Sequence, residues 1–359
     1  MKTMSLFDDM LKNNESLFMD PVVLDYDYLP KILPFRETEQ RHVANCMKPL
    51  FQGRNGKNIL IHGAPGIGKT AAIKHVLREL EEKADDIIPI YINTWQKNTT
   101  FKIIIEICEQ MNYKFTHNKK SEELFSILEK DFNKKAVVFV FDEIDKVEDL
   151  DFLYMILEQV YRKTIILITN YKEWFVTLDE RIKSRLMLEM LEFKKYNSQE
   201  IKGILEQRSK YAFVPNVWDE SAFALAIKKT TEIGDVRTGL YLLRESGNNA
   251  EDRASKKIEV KDVELAISKI ADIKVKDTEE LKEDEKAILN LIKDNSGKKI
   301  GELFEVYKEK GGDGVYKTFQ RKIDFLSKNK FISTEKQLGG SDGSTTIIKY
   351  ERETKLDEY

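Results

Sequence analysis

The sequence predicts an α/β domain built on a parallel sheet, then an all-helical region, then a module of three helices and a β-hairpin. Three observations carry this. In NILIHGAPGIGKTAAIKHVLREL, residues 58–80, a glycine-rich turn separates a short apolar run from a helical pattern. Two later apolar runs, AVVFVF at 136–141 and TIILIT at 164–169, end in polar residues, as strands buried on both faces do. From Asn197 to about Ile273 apolar positions recur at helical spacing, and three more helical patterns and two short strands close the chain.

A chain of 359 residues is too long for one ordinary core, so two or three domains are expected. Hydrophobic residues make up 41% and charged residues 34%, enough to build cores beneath well-solvated helices. No apolar run approaches the ~20 residues that span a bilayer, and no membrane role is expected. The start, MKTMSLFDDMLKNNESLF, is acidic and interrupted by polar residues, unlike a signal peptide. Cys46 and Cys108 lie far apart and read as having no local cysteine or histidine partners at metal spacing, so neither a zinc site nor a disulfide framework is expected. A cytoplasmic setting follows. The formal net charge is -3, so any contact with nucleic acid must come from a local patch.

Gly63, Gly68, Lys69 and Thr70 fit the spacing G-x-x-x-x-G-K-[ST], with Ala64, Pro65, Gly66 and Ile67 as the filling and Ala71 continuing the helix. Residues 58–62 read as the strand before it, and Ile73, Val76, Leu77 and Leu80 as the apolar face of the helix after it. Glycines let the backbone N–H groups and the helix N-terminus face an anion. The expected ligand is ATP or ADP with Mg2+, Lys69 reaching the β- and γ-phosphates and Thr70 the metal. A carboxylate ending a neighbouring strand falls beside such a loop. Asp142 is therefore expected to hold magnesium and Glu143 to polarise the attacking water. The D-x-x-G and N-K-x-D patterns of GTPases are absent.

Asn170, after the third apolar run, could hold the same water or the γ-phosphate, although asparagine also simply ends strands. Arg181 and Arg185, in LDERIKSRL, could stabilise phosphoryl charge across a subunit boundary or be plain solvated residues. Asn197 to Glu200, NSQE, forms a capping box that opens the helical region. Within it, EIGDVRTGLYLLRESG places Gly234 and Asp235 at a helix start and Arg237 in the first turn, where a lid could aim it at phosphates.

The charged stretch KVKDTEELKEDE, residues 274–285, reads as a linker. Beyond it, helical patterns at 281–293, 300–310 and 314–328 and strands at 331–336 and 345–351 outline a winged helix-turn-helix domain. The third helix carries Lys317, Arg321, Lys322 and Lys328 on its outer face, against Asp324 alone. Such a face suits the major groove, and Lys336 and Lys349 on the hairpin arms add charge. A solvated helix in a protein-docking module is the plainer alternative.

Taken in order, these motifs resemble an AAA+ ATPase, and more narrowly the origin-recognition-complex/Cdc replication-initiator family in its archaeal form. The resemblance rests on LDYDYLPKILPFRETEQRHVANCMKPLF, YINTWQKNTTFKIIIEI, VFDEIDKVEDLDFLYMIL, LDERIKSRL and GDVRTGLYLLRESG, and covers roughly residues 20–350. It implies a flexible N-terminal segment (1–20), an AAA+ nucleotide-binding domain (21–194), a helical lid (195–273) and a winged-helix DNA-binding domain (274–359). It places Arg36, in the Pro34-Phe35-Arg36-Glu37 segment, near the adenine. It also implies a helical DNA-touching insertion at NTWQKNTTFK, with Lys97, Thr99, Thr100 and Lys102 reaching phosphates; a plain loop capping the next helix is the alternative. The implied partners are double-stranded origin DNA and an MCM-type replicative helicase, the protein acting as a monomer or a DNA-assembled oligomer. Two departures stand out. The loop filling carries the proline common to AAA+ proteins at large, and Arg185 stands where many archaeal members have serine, leaving open whether Arg181 or Arg185 acts in trans. An ATP-gated DNA-binding regulator and a clamp-loader-like ATPase are the competing functions.

Overall fold

The computed structural model describes residues 16–279, 283–312, 314–328, 331–337 and 345–350. The chain divides between Ile267 and Ser268 into two compact units.

The first unit is organised by five parallel strands: β1 (Ile59–His62), β2 (Ile87–Asn93), β3 (Ala136–Asp142), β4 (Lys163–Thr169) and β5 (Glu189–Glu192), in the order β2-β3-β4-β1-β5. The period of two along β3 divides its side chains between two cores. Val137, Phe139 and Phe141 pack against the helices Thr100–Gln110, Ser121–Phe132 and Asp151–Gln159. Val138 and Val140 pack against Glu37–Met47 and Lys69–Lys83. With both faces covered, β3 is buried over its whole length, which is why it reads as one apolar run. The register sets Asn93 beside Asp142 and His62 beside Thr169, so the ends of adjacent strands converge on the loop after β1. That is where ligands bind in open α/β sheets.

The helices Ser198–Ala212, Glu220–Ile233, Val236–Asp252 and Val260–Glu279 follow. The expected capping box is present: Glu200 N–H donates to Asn197 Oδ1 at 2.9 Å and Asn197 N–H to Glu200 Oε2 at 2.8 Å. Two corrections belong to the ends of this region. Residues 16–20, expected to be a flexible lead, are tied to it: Leu17 joins the helical core and Met19 N–H donates to Ala212 O at 2.8 Å. The remainder of that lead, 1–15, lies outside the described residues. The linker expected from Lys274 is helical as far as Glu279, and the next helix begins at Glu283. Charged residues low in apolar content can still propagate a helix already nucleated by Val263 and Ala266 in the core upstream.

The second unit contains the helices Glu283–Asp294, Ile300–Glu309 and Tyr316–Lys328 and a small antiparallel sheet, β6 (Lys298–Lys299), β7 (Ile332–Gln337) and β8 (Thr345–Tyr350), in the order β6-β8-β7. Ile288, Ile292, Leu303, Phe319, Ile323 and Ile348 form its core. This is a winged helix with one strand more than expected. β6 is only two exposed lysines paired to Ile347 and Ile348, too short to leave a periodic signal.

No helix among the described residues is long and apolar enough to cross a membrane.

Candidate active site

The turn after β1 is built on left-handed glycines. Gly66 has φ 72°, and a Cβ there would lie 1.9 Å from Asp235 Oδ1. The position requires glycine for conformation and for space. Asp235 caps the helix Val236–Asp252, accepting from Arg237 N–H at 2.8 Å, and Val236 N–H donates to Gly66 O at 3.2 Å. The first turn of this helix is thus seated on the loop, as the GDVR sequence suggests.

Lys69 is buried, and its ammonium donates to Gly63 O (2.7 Å), Ala64 O (2.8 Å) and Asn170 Oδ1 (2.8 Å). Burial pushes its pKa down to about 8, against the pull of Glu143 and Asp142. Thr70 Oγ1 donates to Asp142 Oδ2 at 2.6 Å. This pairing of hydroxyl and carboxylate oxygens is a donor set that suits Mg2+. Two further side chains, which the sequence did not single out, fix the acidic turn. Tyr91 OH donates to the same Asp142 oxygen at 2.7 Å, and burial, with Asp142 beside it, pushes the phenol strongly up. The Thr94 hydroxyl lies 2.8 and 2.6 Å from the carbonyl oxygens of Asp142 and Glu143. Glu143 itself sits at φ 58°, a conformation rare outside glycine that surrounding contacts must hold. Burial, then repulsion from Asp142 and Asp145, raises its pKa and makes it a stronger base. Asn170 Nδ2 donates to Glu143 Oε2 at 3.0 Å, so one amide links the loop lysine to the Glu143 carboxylate.

Gly66, Lys69, Thr70, Tyr91, Asp142, Glu143 and Asn170 border a cavity of about 400 Å3, lined also by Tyr26, Tyr28, Pro34, Arg208 and Arg237. Of the loop, Pro65, Gly66, Gly68, Lys69, Thr70 and Ala71 line it; Gly63 and Ala64 contribute the carbonyls that hold Lys69, and Ile67 is buried in the core.

Arg36, expected beside the adenine, does not line this cavity, although Pro34 of the same segment does. Its guanidinium donates to Ile67 O (3.0 and 3.2 Å) and Lys194 O (2.7 Å), pairs with Glu39 at 2.8 Å and stacks 3.9 Å from the Tyr196 ring centroid. It braces the phosphate loop from behind. Arg36→Ala is therefore expected to lower the stability of the nucleotide-free protein by about 1.5–3 kcal/mol, through lost charge-assisted hydrogen bonds. Nucleotide affinity should fall as a consequence. Thermal unfolding with and without nucleotide checks this: lost affinity with unchanged nucleotide-free stability would return Arg36 to the adenine.

Arg185 pairs with Glu158 at 2.6 Å over the Tyr154 ring, and Arg181 is exposed; neither lines the cavity.

The expected insertion after β2 is a short turn rather than a helix, and its residues are largely engaged. Lys97 pairs with Glu106 at 3.0 Å, Lys102 donates to Asn98 at 2.9 Å, and Thr99 caps the helix Thr100–Gln110. Thr100 is buried, bonding Asp149 and accepting from Phe152 N–H. Thr99 and Thr100 are thus helix-start residues, and the buried Thr100 hydroxyl is taken up by Asp149 and Phe152 rather than offered to a phosphate.

In the winged domain Lys317 and Arg321 are exposed, whereas Lys322 pairs with Asp284 at 3.1 Å. Lys349 is exposed; the side chains of Lys328 and Lys336 and the turn at 338–344 lie outside the described residues. A further correction concerns Cys46. It does have a histidine near: His42 Nε2 and Cys46 Sγ both approach Glu189 Oε2, at 3.2 and 3.6 Å.

Residues 53–173 match the AAA domain family and residues 202–268 the Cdc6 AAA+ ATPase-type lid domain. ORC1-type DNA replication protein 1 of Methanothermobacter thermautotrophicus is 32% identical over 380 residues, covering 99% of this chain and 98% of its own. ORC1-type DNA replication protein 2 of Methanosarcina acetivorans is 30% identical, with 98% of each chain covered. Among solved structures, the Aeropyrum pernix ORC1 protein in complex with DNA aligns over 95% of both chains with a TM-score of 0.71 at 28% identity. Cdc6p from Pyrobaculum aerophilum, 18% identical, shares the fold at a TM-score of 0.65.

Proposed function

The chain belongs to the ORC1-type DNA replication protein family, and from that premise we propose that it is an initiator that binds origin DNA under the control of its own ATPase. The observation that carries the reading is one chain holding both an ATP site and a winged helix with an exposed cationic face.

At the ATP site Lys69 exchanges its loop carbonyls for β- and γ-phosphate oxygens. Thr70 and Asp142 are the residues that would hold Mg2+, which when bound neutralises phosphate charge. Glu143, kept in place by Asn170, takes a proton from the water that attacks the γ-phosphorus; ADP leaves and inorganic phosphate forms. Arg237 reaches the cavity from the helix whose first turn is bonded to Gly66, so the phosphate state is felt by the lid. ATP-bound and ADP-bound forms therefore differ in lid seating, and slow hydrolysis resets the protein. The partner whose loading this switch governs is a replicative helicase of MCM type.

On the DNA side, each cation that meets a phosphate adds roughly 0.9 to the salt slope of log affinity. Lys317→Ala is expected to weaken binding of the full chain to all duplexes alike and flatten that slope by about one. Arg321→Ala is expected to cost about 1–3 kcal/mol on the preferred site and blur its sequence preference, as loss of a guanine contact does. A salt titration on specific and random duplexes tests the reading. Unchanged affinity and slope in both variants would make the winged domain a protein-docking module.

A further inference from the structure

His42, Cys46 and Glu189 lie outside the ATP site and take no part in the chemistry above. His42 and Cys46 are four residues apart in the helix Glu37–Met47, hence on one face, and Glu189 opens the edge strand β5. One candidate donor atom from each side chain falls within 4.8 Å of the other two. For zinc, bond lengths of ~2.3 Å to sulfur, ~2.0–2.1 Å to nitrogen and ~2.0–2.2 Å to oxygen give tetrahedral edges of ~3.6 Å for S···O and ~3.4 Å for N···O. The distances here are 3.6 Å from Sγ to Oε2 and 3.2 Å from Nε2 to the same oxygen. Lys57 Nζ occupies the other carboxylate oxygen, Oε1, at 2.6 Å, which turns Oε2 toward the histidine and the cysteine.

We infer that His42, Cys46 and Glu189 form a three-ligand site for a divalent transition cation of the zinc class, which clips the helix ahead of the phosphate loop to the edge of the sheet. Sulfur, imidazole and carboxylate together select zinc over magnesium or calcium, which take oxygen alone. The half-exposed imidazole leaves the fourth position open to water. Binding replaces the thiol proton, which goes to solvent, by a metal–sulfur bond. Lys57 opposes binding by its charge, but its side chain is 62% exposed and free to swing into water. The helix it would clip begins directly after Arg36, the residue that braces the phosphate loop, so the site stiffens that brace from its far end.

Cobalt titration of the metal-free full chain tests the site. The expected result is a thiolate-to-cobalt charge-transfer band that saturates at one ion per chain and is lost when zinc displaces the cobalt. A cobalt ion at Thr70 and Asp142 has only oxygen ligands and gives no such band, so the two sites are told apart. Cys46→Ser should abolish the band, Cys108→Ser should leave it intact, and His42→Ala should weaken cobalt binding by more than about tenfold. Zinc should also raise the melting temperature of the parent and not of His42→Ala. No band at large cobalt excess, or a band that survives Cys46→Ser, would overturn the assignment. Should Cys46→Ser not fold, an unaltered titration in both His42→Ala and Glu189→Gln would overturn it equally.

Discussion

Glu143→Gln should retain ATP and lose its hydrolysis, by about 10²–10⁴-fold, the usual contribution of a positioned general base. The substitution keeps the shape of the side chain and its place at the end of Asn170, 3.0 Å away, but removes the charge that accepts the proton. Asp142 and Thr70, 2.6 Å apart, are left as they are, so the groups proposed to hold magnesium and phosphates survive. Single-turnover hydrolysis beside an equilibrium nucleotide-binding measurement separates the two effects. Turnover within about twofold of the parent would remove Glu143 from the mechanism, since a lost base costs at least ~10²-fold.

Lys69→Ala should all but eliminate nucleotide binding. Two charge-assisted hydrogen bonds to phosphate are worth roughly 3–6 kcal/mol together, or about 10²–10⁴ in affinity. The lysine carries a second signature. Buried without phosphate, its pKa is about 8 in place of 10.5. Between those values the unfolded chain binds more protons than the folded one, so this residue's contribution to stability grows as pH rises through that window. Phosphate oxygens favour the charged form, so ATP binding at pH 9 should take up a proton. Calorimetry in buffers of different ionisation enthalpy reads the uptake. Proton-neutral binding at that pH, or Lys69→Ala with the parent's affinity, would place the phosphates elsewhere.

The legible part of this protein was local. Eight contiguous residues, Gly63 to Thr70, encode the phosphate loop, and Asp142 and Glu143 stand at the end of an unbroken apolar run, so motif and strand end announce each other. The capping box at Asn197 and the helix start at Asp235 are likewise short-range patterns. What failed depends on partners far along the chain. Arg36 stands in a segment that suggests a ligand contact, yet its acceptors, Ile67 O and Lys194 O, are 31 and 158 residues away. Thr100 sits in a polar run, but the helix turns it inward onto Asp149 and Phe152. Tyr91 reads as an ordinary strand aromatic until the register of β2 and β3 brings it to Asp142. His42 and Glu189 are separated by 147 residues, so their meeting at Cys46 has no local signature beyond one helical turn.

On the function proposed above, nucleotide state governs how this chain holds origin DNA. Footprinting on genomic DNA around the chain's own gene, with ATP and with ADP, tests it most directly. Discrete protected repeats whose pattern changes between the two nucleotides are expected, with Glu143→Gln locked in the ATP pattern. Protection confined to promoter sites, or no protection at low salt with either nucleotide, would contradict it.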